Sequence, residues 1–505
     1  MNSHLVFLCA FIVSVFLSKY GTEIYCCLAR RFDMVDRPDT LRKVHKKPIP
    51  VGGGIILFLT TILVFAGCLL YAPSLPFPFR RIVPSILMAS TILVIVGLVD
   101  DRWELSGSIK ICSQIVAVSI LLIFAKDYSK ISLLGAEYDL GHMFYPLGII
   151  WFVGLINAVN FLDGADGVAS TAGIFMSLAA AIMALMTGQT TVAVIAIIFA
   201  GALLGFLFCN FPPAKVYLGD TGSMLIGLVT GILLLCASMT DNHVIRVAPP
   251  LAVALIPIFD LTLSFFRRIS SERGLFAADR CHIQHRLLLR FNCERKILAV
   301  FAILFALAGA AGCIGIYTGS DWLPIGVFCL LPCGLVLTHL FGWEDTVVLI
   351  RHIVNQYRKW RNSPIYRRQG MAFHYQGDRA WHKLWYVLLN SMRRHDCVRI
   401  KLDINVPSVH EYYMAKWECG DRNNRDNVVF MNVRIPLMEG AQAIGVLNIW
   451  FDPKNISLEI SMEIASRLKK LCVDYITEHI HAVEHLDRLD GAVEINPSVS
   501  QLGSY

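Results

Sequence analysis

The sequence predicts an all-α polytopic membrane protein of about eleven transmembrane helices, followed by a small C-terminal cytoplasmic α/β domain. Three observations predict it. Of the 505 residues, 55% are hydrophobic and only 16% charged, a balance outside that of soluble enzymes. Apolar runs of roughly 17–25 residues recur from the N-terminus to about Leu340, each long enough to cross a bilayer as a helix. After Trp343 the pattern changes to the alternating and amphipathic segments of a soluble domain.

The spans fall near 4–28, 51–72, 82–100, 107–125, 147–163, 168–187, 190–209, 222–239, 248–266, 297–317 and 322–341. The first has no basic n-region and no small-residue cleavage site, so it reads as a retained span rather than a removed signal peptide. Alternate loops differ in charge. One set carries Arg30, Arg31, Arg42, Lys43, Lys46 and Lys47, then Arg102, Lys215 and a basic run from Arg267 to Lys296. The other set holds little beyond Arg80, Arg81, Lys126, Lys130 and Arg246. The positive-inside rule makes the rich set cytoplasmic, which puts the N-terminus outside and the C-terminus inside a plasma (inner) membrane. The net charge of +7 comes from these loops and implies no nucleic-acid partner. The fifteen cysteines are scattered, many within spans, and none forms a C-x-x-C pair; they read as apolar fillers, not a disulfide framework.

The domain boundaries follow from these changes: a transmembrane domain at 1–343, a basic linker at 344–380, an α/β domain at 381–490 and a flexible tail at 491–505. In the α/β domain a helical run at 381–394 precedes strands near 398–404, 428–435 and 443–451, with a turn at Glu439–Gly440 and then an amphipathic helix through Ile464, Leu468, Leu471 and Ile476. The string R-I-P-L-M-E-G-A-Q-A-I-G-V-L-N-I-W-F followed by a helix resembles the end of a GAF-type domain, so the domain is expected to be GAF-like and to regulate or to bind partners.

Five polar clusters interrupt the apolar chain near span ends: Arg42–Gly54, Asp100–Asp101, Asn157–Gly167, Gly219–Ser223 and Asp279–Leu288. Alternation of the spans puts all five on the cytoplasmic face. A carboxylate within a bilayer costs about 2.5–3.5 kcal/mol on insertion scales, so Asp100, Asp101, Asp163, Asp166 and Asp220 are expected to work together, holding a divalent cation and phosphate groups. Asn157, Asn160 and Asp163 recur every third residue, one polar stripe on a helix, which either faces a ligand or hydrogen-bonds a neighbouring helix. Gly164 and Gly167 then weaken that helix. In Tyr217–Ser223 a glycine-flanked Asp220 precedes a helix that Thr221 and Ser223 can cap, leaving N–H groups and the helix dipole to favour an anion. Asp220 is then either an N-cap or a ligand for Mg²⁺. Asp100 and Asp101 are either solvated at a helix end or a metal-proximal charge and a base. His282 and His285 sit with Cys281 and Cys293 in a basic loop, but the spacing matches no closed zinc site, and contacts to phosphate or sugar suit them better.

Together the clusters resemble, in order and spacing over residues 30–295, the polyprenyl-phosphate N-acetylhexosamine-1-phosphate transferase family. The resemblance implies transfer of a sugar-1-phosphate from a UDP-sugar to a membrane polyprenyl phosphate such as undecaprenyl phosphate, with release of UMP and a requirement for Mg²⁺ or Mn²⁺. The P-I-F-D string at Pro257–Asp260, then Arg267–Arg268 and D-R-x-H, is similar to the branch that transfers GlcNAc-1-phosphate. The branch acting on UDP-MurNAc-pentapeptide, the alternative, carries a run of histidines that is absent here. By the same resemblance Asn160 and Asp220 bind the metal. Asp100 and Asp101 are the paired acids, one a candidate base for the lipid phosphate, with Asp163 in the same motif as a catalytic group of less defined role. Asp166 meets the uracil beside the aromatic Tyr217, while Lys46, Lys47, His285 and Arg286 approach nucleotide, phosphate or sugar. His282 is the first histidine of an H-x-H-H motif whose third position is here Gln284. Glycan-synthesis proteins reaching the C-terminal domain, and a second copy of the chain, complete the expected partners. A secondary transporter, the main rival, would place its ionisable residues near the midplane of two matching halves, and the halves here do not match.

Overall fold

The structure, a computed structural model, describes residues 3–36, 48–71, 77–103, 105–240, 242–270, 287, 291, 293–338, 371–376, 381, 384–389, 397–406, 411–418, 430–439, 442–453 and 456–493. They fall into two compact units, divided in the chain after Trp343.

In the first unit, helices α1 (Ser3–Arg31), α2 (Gly54–Tyr71), α3 (Phe77–Trp103), α4 (Gly107–Phe124), α5 (Phe144–Leu162), α6 (Val168–Met186), α7 (Thr190–Asn210) and α8 (Gly219–Ala237) follow one another along the chain, with the longer connections before α2 and α5. Eight helices among the described residues are long and apolar enough to cross a membrane; three more apolar helices, at Gly54–Leu70, Leu255–Phe266 and Trp322–Leu337, are shorter. The chain is therefore a multi-pass membrane protein, in which a helix is favoured because it satisfies every backbone hydrogen bond within itself. The innermost helices are α6, α7 and α8, whose Ala172, Ala180, Phe199, Leu203, Phe206 and Ile226 are fully buried. Helix α5 packs on α8, and α1 packs on α7.

One expected span changes form. The run at 248–266 is two helices, α9 (Ala248–Val253) and α10 (Leu255–Ser270), broken at Ala254. Pro257 has no N–H to give the carbonyl of Val253, so a single helix cannot run through and a new one starts with the proline in its first turn. Asp260 of the P-I-F-D string is fully buried on α10. Helices α11 (Glu294–Thr318) and α12 (Trp322–Leu337) complete the unit.

Two small sheets mark the ends of the helices. Strands β1 (Val35–Asp36) and β2 (Ile49–Pro50) pair antiparallel at the base of the segment that carries the first polar cluster. At the other end β3 (Lys130–Leu133), β4 (Ala136–Asp139) and β5 (Ile245–Arg246) form a sheet of order β4-β3-β5 that the hydropathy pattern does not reveal. There Arg246 meets Asp321 at 2.7 Å, and the other oxygen of Asp321 accepts the N–H of Leu134, so one buried carboxylate ties the hairpin, β5 and the start of α12.

The second unit contains a five-stranded antiparallel sheet. Its strands are β6 (Met371–Gln376), β7 (Cys397–Val406), β8 (Glu411–Glu418), β9 (Met431–Glu439) and β10 (Gln442–Phe451), in the order β6-β8-β7-β10-β9. Helix α13 (Leu458–Val493) buries Ile464, Leu468, Cys472 and Ile476 in the same core as Ile400, Leu402, Leu447 and Ile449 of alternating strand positions. Trp381, Leu384, Trp385 and Leu388, from the expected first helix, fill that core as well. The expected hairpin is present, with Gln442 opposite Glu439. Two strands were not expected. One of them, β6, lies inside the segment expected as linker, because its partner β8 offers the sheet an edge that the isolated sequence of 371–376 does not announce.

Candidate active site

Four helix ends build the site. Helix α3 carries Asp100 and Asp101 in its last turn, α4 carries Lys110 in its first, α5 carries Asn160 in its last turn and leads into Asp163, and α8 has Asp220 in its first turn. They come this close because two glycines remove side chains from the crossing points. A Cβ on Gly97 of α3 would lie 2.4 Å from Thr221 Cα, and one on Gly54 of α2 would lie 2.2 Å from Gly222 N.

The ammonium of Lys110 sits between two carboxylates, 2.6 Å from Asp100 Oδ2 and 2.5 Å from Asp220 Oδ2. Asp220 Oδ1 accepts a hydrogen bond from Asn160 Nδ2 at 2.8 Å, and the same amide donates to Ser223 Oγ at 2.9 Å. Asp100 Oδ1 accepts the Leu105 N–H, which shapes the turn into α4. One oxygen from each of Asp100, Asp101 and Asp220 lies within 4.8 Å of the others. Two unit charges at such a separation repel by about 3 kcal/mol at an effective dielectric near 20, so the cluster requires a cation, and Lys110 supplies one. Asp100 and Asp220 are the residues that would hold a divalent ion here. The donors are all oxygens on short side chains, the hard set that Mg²⁺ takes, and they fit such an ion.

Asp101, the neighbour of Asp100, is engaged differently. Its Oδ1 accepts the Asp220 N–H at 2.7 Å, and its Oδ2 accepts from Thr221 Oγ1 at 2.6 Å and from Thr221 N at 3.3 Å. This corrects the expectation that α8 is capped by its own Thr221 and Ser223 with N–H groups left for an anion. The first N–H groups are taken by a carboxylate from α3, and Ser223 is taken by Asn160.

The loop between α5 and α6 holds Asp163 and Asp166. Asp163 is half-buried; burial first, then the nearby Asp220, Asp101 and Asp166, hold its carboxyl well above the usual range, against a hydrogen bond from Gly219 N–H. Asp166 Oδ2 accepts the Ala214 N–H at 2.8 Å and so joins this loop to the 211–218 loop. Buried Asn210 makes the same junction, accepting from Gly167 N and Ser170 Oγ while donating to Val216 O. Tyr217 lies in that second loop with its N–H on Pro50 O and its carbonyl accepting Gly53 N–H, which seats β2 and the glycine run against it. Burial and the adjacent Asp166 raise its phenol above the usual range.

The structure thus brings together Asp100, Asp101, Asn160, Asp163 and Asp220, with Asp166 and Tyr217 on the adjoining loops. Lys46, Lys47, His282, His285 and Arg286 lie outside the described residues. Asn157, on the same stripe as Asn160, turns to a neighbouring helix instead: its amide donates to Gln114 Oε1 of α4 at 2.6 Å. Sequence reasoning missed Lys110, Gln114 and Asn210. Lys110 had a signal, being the one charged residue between Gly107 and Ala125 and one turn inside the span. Asn210 had none, since an asparagine closing an apolar helix is common.

Comparison with known proteins identifies the family of the chain. The family described as glycosyl transferase family 4 matches residues 83–238, a stretch that contains Asp100, Asp101, Lys110, Asn160, Asp163, Asp166, Tyr217 and Asp220. A Bacillus subtilis (strain 168) protein named "Probable undecaprenyl-phosphate N-acetylglucosaminyl 1-phosphate transferase" is 31% identical over 324 residues, 64% of this chain and 88% of that protein. The undecaprenyl-phosphate alpha-N-acetylglucosaminyl 1-phosphate transferase of Thermotoga maritima is 29% identical, covering 64% of this chain and 94% of its own length. The protein of that name in Escherichia coli (strain K12) is 27% identical, covering 60% and 83%.

Proposed function

The chain belongs to glycosyl transferase family 4, and we propose that it transfers GlcNAc-1-phosphate from UDP-GlcNAc to a polyprenyl phosphate, releasing UMP, as the first membrane step of a cell-surface glycan. The observation that carries this reading is the meeting of Asp100, Lys110, Asn160 and Asp220 at one end of the helices. Phosphoryl transfer asks little covalent work of a protein; it asks for alignment and for charge placed against the reacting phosphates.

Asp100 and Asp220, with the Oδ1 of Asn160, would hold Mg²⁺. When bound, that ion supplies charge against the diphosphate of the donor. Lys110, held beside Asp100 and Asp220, gives the phosphates a further positive group that does not leave the site. Asp163, whose carboxyl keeps a proton to higher pH than a solvated one, suits proton exchange with the lipid phosphate. Asp166 and Tyr217 lie on the two joined loops where the uridine would rest, Tyr217 offering a ring to stack and Asp166 an acceptor for the base. The positive-inside count supports a site on the cytoplasmic side of the plasma membrane, where UDP-sugar would arrive from one side and lipid phosphate from the other. We assign the second unit a regulatory or partner-binding role.

The test is UMP release by the purified protein given Mg²⁺, undecaprenyl phosphate and a panel of UDP-sugars. UDP-GlcNAc should support release, and Asp220→Asn should lower it on the order of a hundredfold, the equivalent of about 3 kcal/mol of lost charge stabilisation. Wild-type rates in that variant would remove Asp220 from the metal site, and release with UDP-MurNAc-pentapeptide alone would move the chain to the other branch.

A further inference from the structure

We infer that Asp101 is a positioning residue that acts through Asp220 and does not itself meet the substrate. The inference rests on the proposal that Asp220 is a metal ligand. Adjacent acidic residues invite the same role for both, but the structure gives them different surroundings. Asp100 turns its Oδ2 to Lys110 and towards Asp220. Asp101 turns both oxygens onto the start of α8, where three donors from Asp220 and Thr221 use them. An ionised carboxylate offers about four acceptor directions, so little of Asp101 is left for another group.

The start of α8 needs this partner. Its N-cap position is Leu218, which makes no side-chain cap bond, and Thr221 is fully buried. Without Asp101 the N–H groups of Asp220 and Thr221 would lose the partner that satisfies them in this partly buried place. The negative charge also faces the positive end of the helix dipole. The backbone is shaped around the carboxylate: Gly219 has φ +71°, and a Cβ there would sit 2.5 Å from Asp101 Oδ2. Gly52, at φ +89°, closes the other side, where a Cβ would lie 3.5 Å from the same oxygen. Asp101 therefore joins α3 to the peptide that carries Asp220, and so fixes where the Asp220 side chain stands between Lys110 and Asn160.

The test compares Asp101→Asn, Thr221→Val, Thr221→Ser and the Asp101→Asn/Thr221→Val double variant in full-length protein. Three quantities are read: the unfolding temperature without metal or substrate, the affinity for Mn²⁺ by electron paramagnetic resonance, and UMP release across Mg²⁺ concentrations. Asp101→Asn and Thr221→Val should both lower the unfolding temperature and weaken Mn²⁺ binding about tenfold, the usual effect of losing a group that orients a ligand. The double variant should be no worse than Asp101→Asn alone, because both changes break one contact. Thr221→Ser, which keeps the hydroxyl, should restore wild-type values, and high Mg²⁺ should recover most of the turnover lost in Thr221→Val. If Asp101→Asn keeps wild-type unfolding and Mn²⁺ affinity yet releases no UMP at any Mg²⁺ concentration, Asp101 acts on the reactants and the inference fails. If Asp101→Asn does not fold, Thr221→Val and Thr221→Ser decide the matter by the same readings. Unfolding and Mn²⁺ binding are read without substrate, so a failed UMP assay overturns the transferase reading alone.

Discussion

Lys110 and Asp220 meet at 2.5 Å although 110 positions separate them, a lysine from the first turn of α4 against an aspartate from the first turn of α8. The same ammonium holds Asp100, so one cation offsets a buried and a partly buried anion. Lys110→Met should therefore lower the unfolding temperature in metal-free buffer, since removing one partner leaves the carboxylates facing each other. Added Mg²⁺ should raise that temperature more in the variant than in the wild type, because the ion replaces the missing charge. Equal Mg²⁺ effects on both proteins, measured by thermal unfolding in detergent, would separate Lys110 from the metal site.

Asp163 gives a prediction whose sign depends on pH. Its carboxyl is held above the ordinary aspartate value, chiefly by burial and by Asp220, so the folded protein binds this proton more tightly than the unfolded chain does. The stability tied to that proton is fully present below the unfolded value and is lost as pH rises through the folded one. Asp163→Asn, neutral throughout, should therefore unfold at a higher temperature than wild type near pH 8 without metal, and the gain should shrink as pH falls towards 4. A gain that grows on acidification would contradict the environment described for Asp163.

Asn157 and Asn160 lie one turn apart yet should behave differently. The Asn157 amide joins α5 to α4 through Gln114, so Asn157→Ala should cost about 1 kcal/mol of stability and leave most UMP release in place. Asn160→Ala, which removes a partner of Asp220, should reduce turnover by at least tenfold at limiting Mg²⁺. Similar losses in both would mean that the whole stripe serves the reaction.

The two units make a simple expectation for truncation. Ending the chain after about residue 345 should leave UMP release within roughly threefold of wild type, with altered control or complex formation in cells. A folded but inactive truncated protein would make the second unit part of the catalytic machinery.

The sequence by itself determined where the chain runs through apolar surroundings and which polar residues matter there. Hydropathy is a local property, and a helix in lipid satisfies its own backbone, so spans such as 168–187 and 190–209 were legible to within a residue or two. Aspartates such as Asp100 and Asp220 stood out because a charge beside an apolar run is costly unless something uses it. The break at Ala254 was foreshadowed by Pro257, whereas β6 and the β4-β3-β5 sheet were not, since a strand depends on a neighbour the local sequence does not name. Tertiary structure alone decided how the acids divide their work. Asp100 and Asp101 are equivalent in a list of residues; one faces Lys110 beside the Asp220 carboxylate and the other takes the backbone N–H of Asp220, because successive side chains on a helix point about 100° apart. Which helix ends meet at all depends on the close crossings at Gly54 and Gly97, and contacts of that kind belong to pairs of helices, not to either sequence segment.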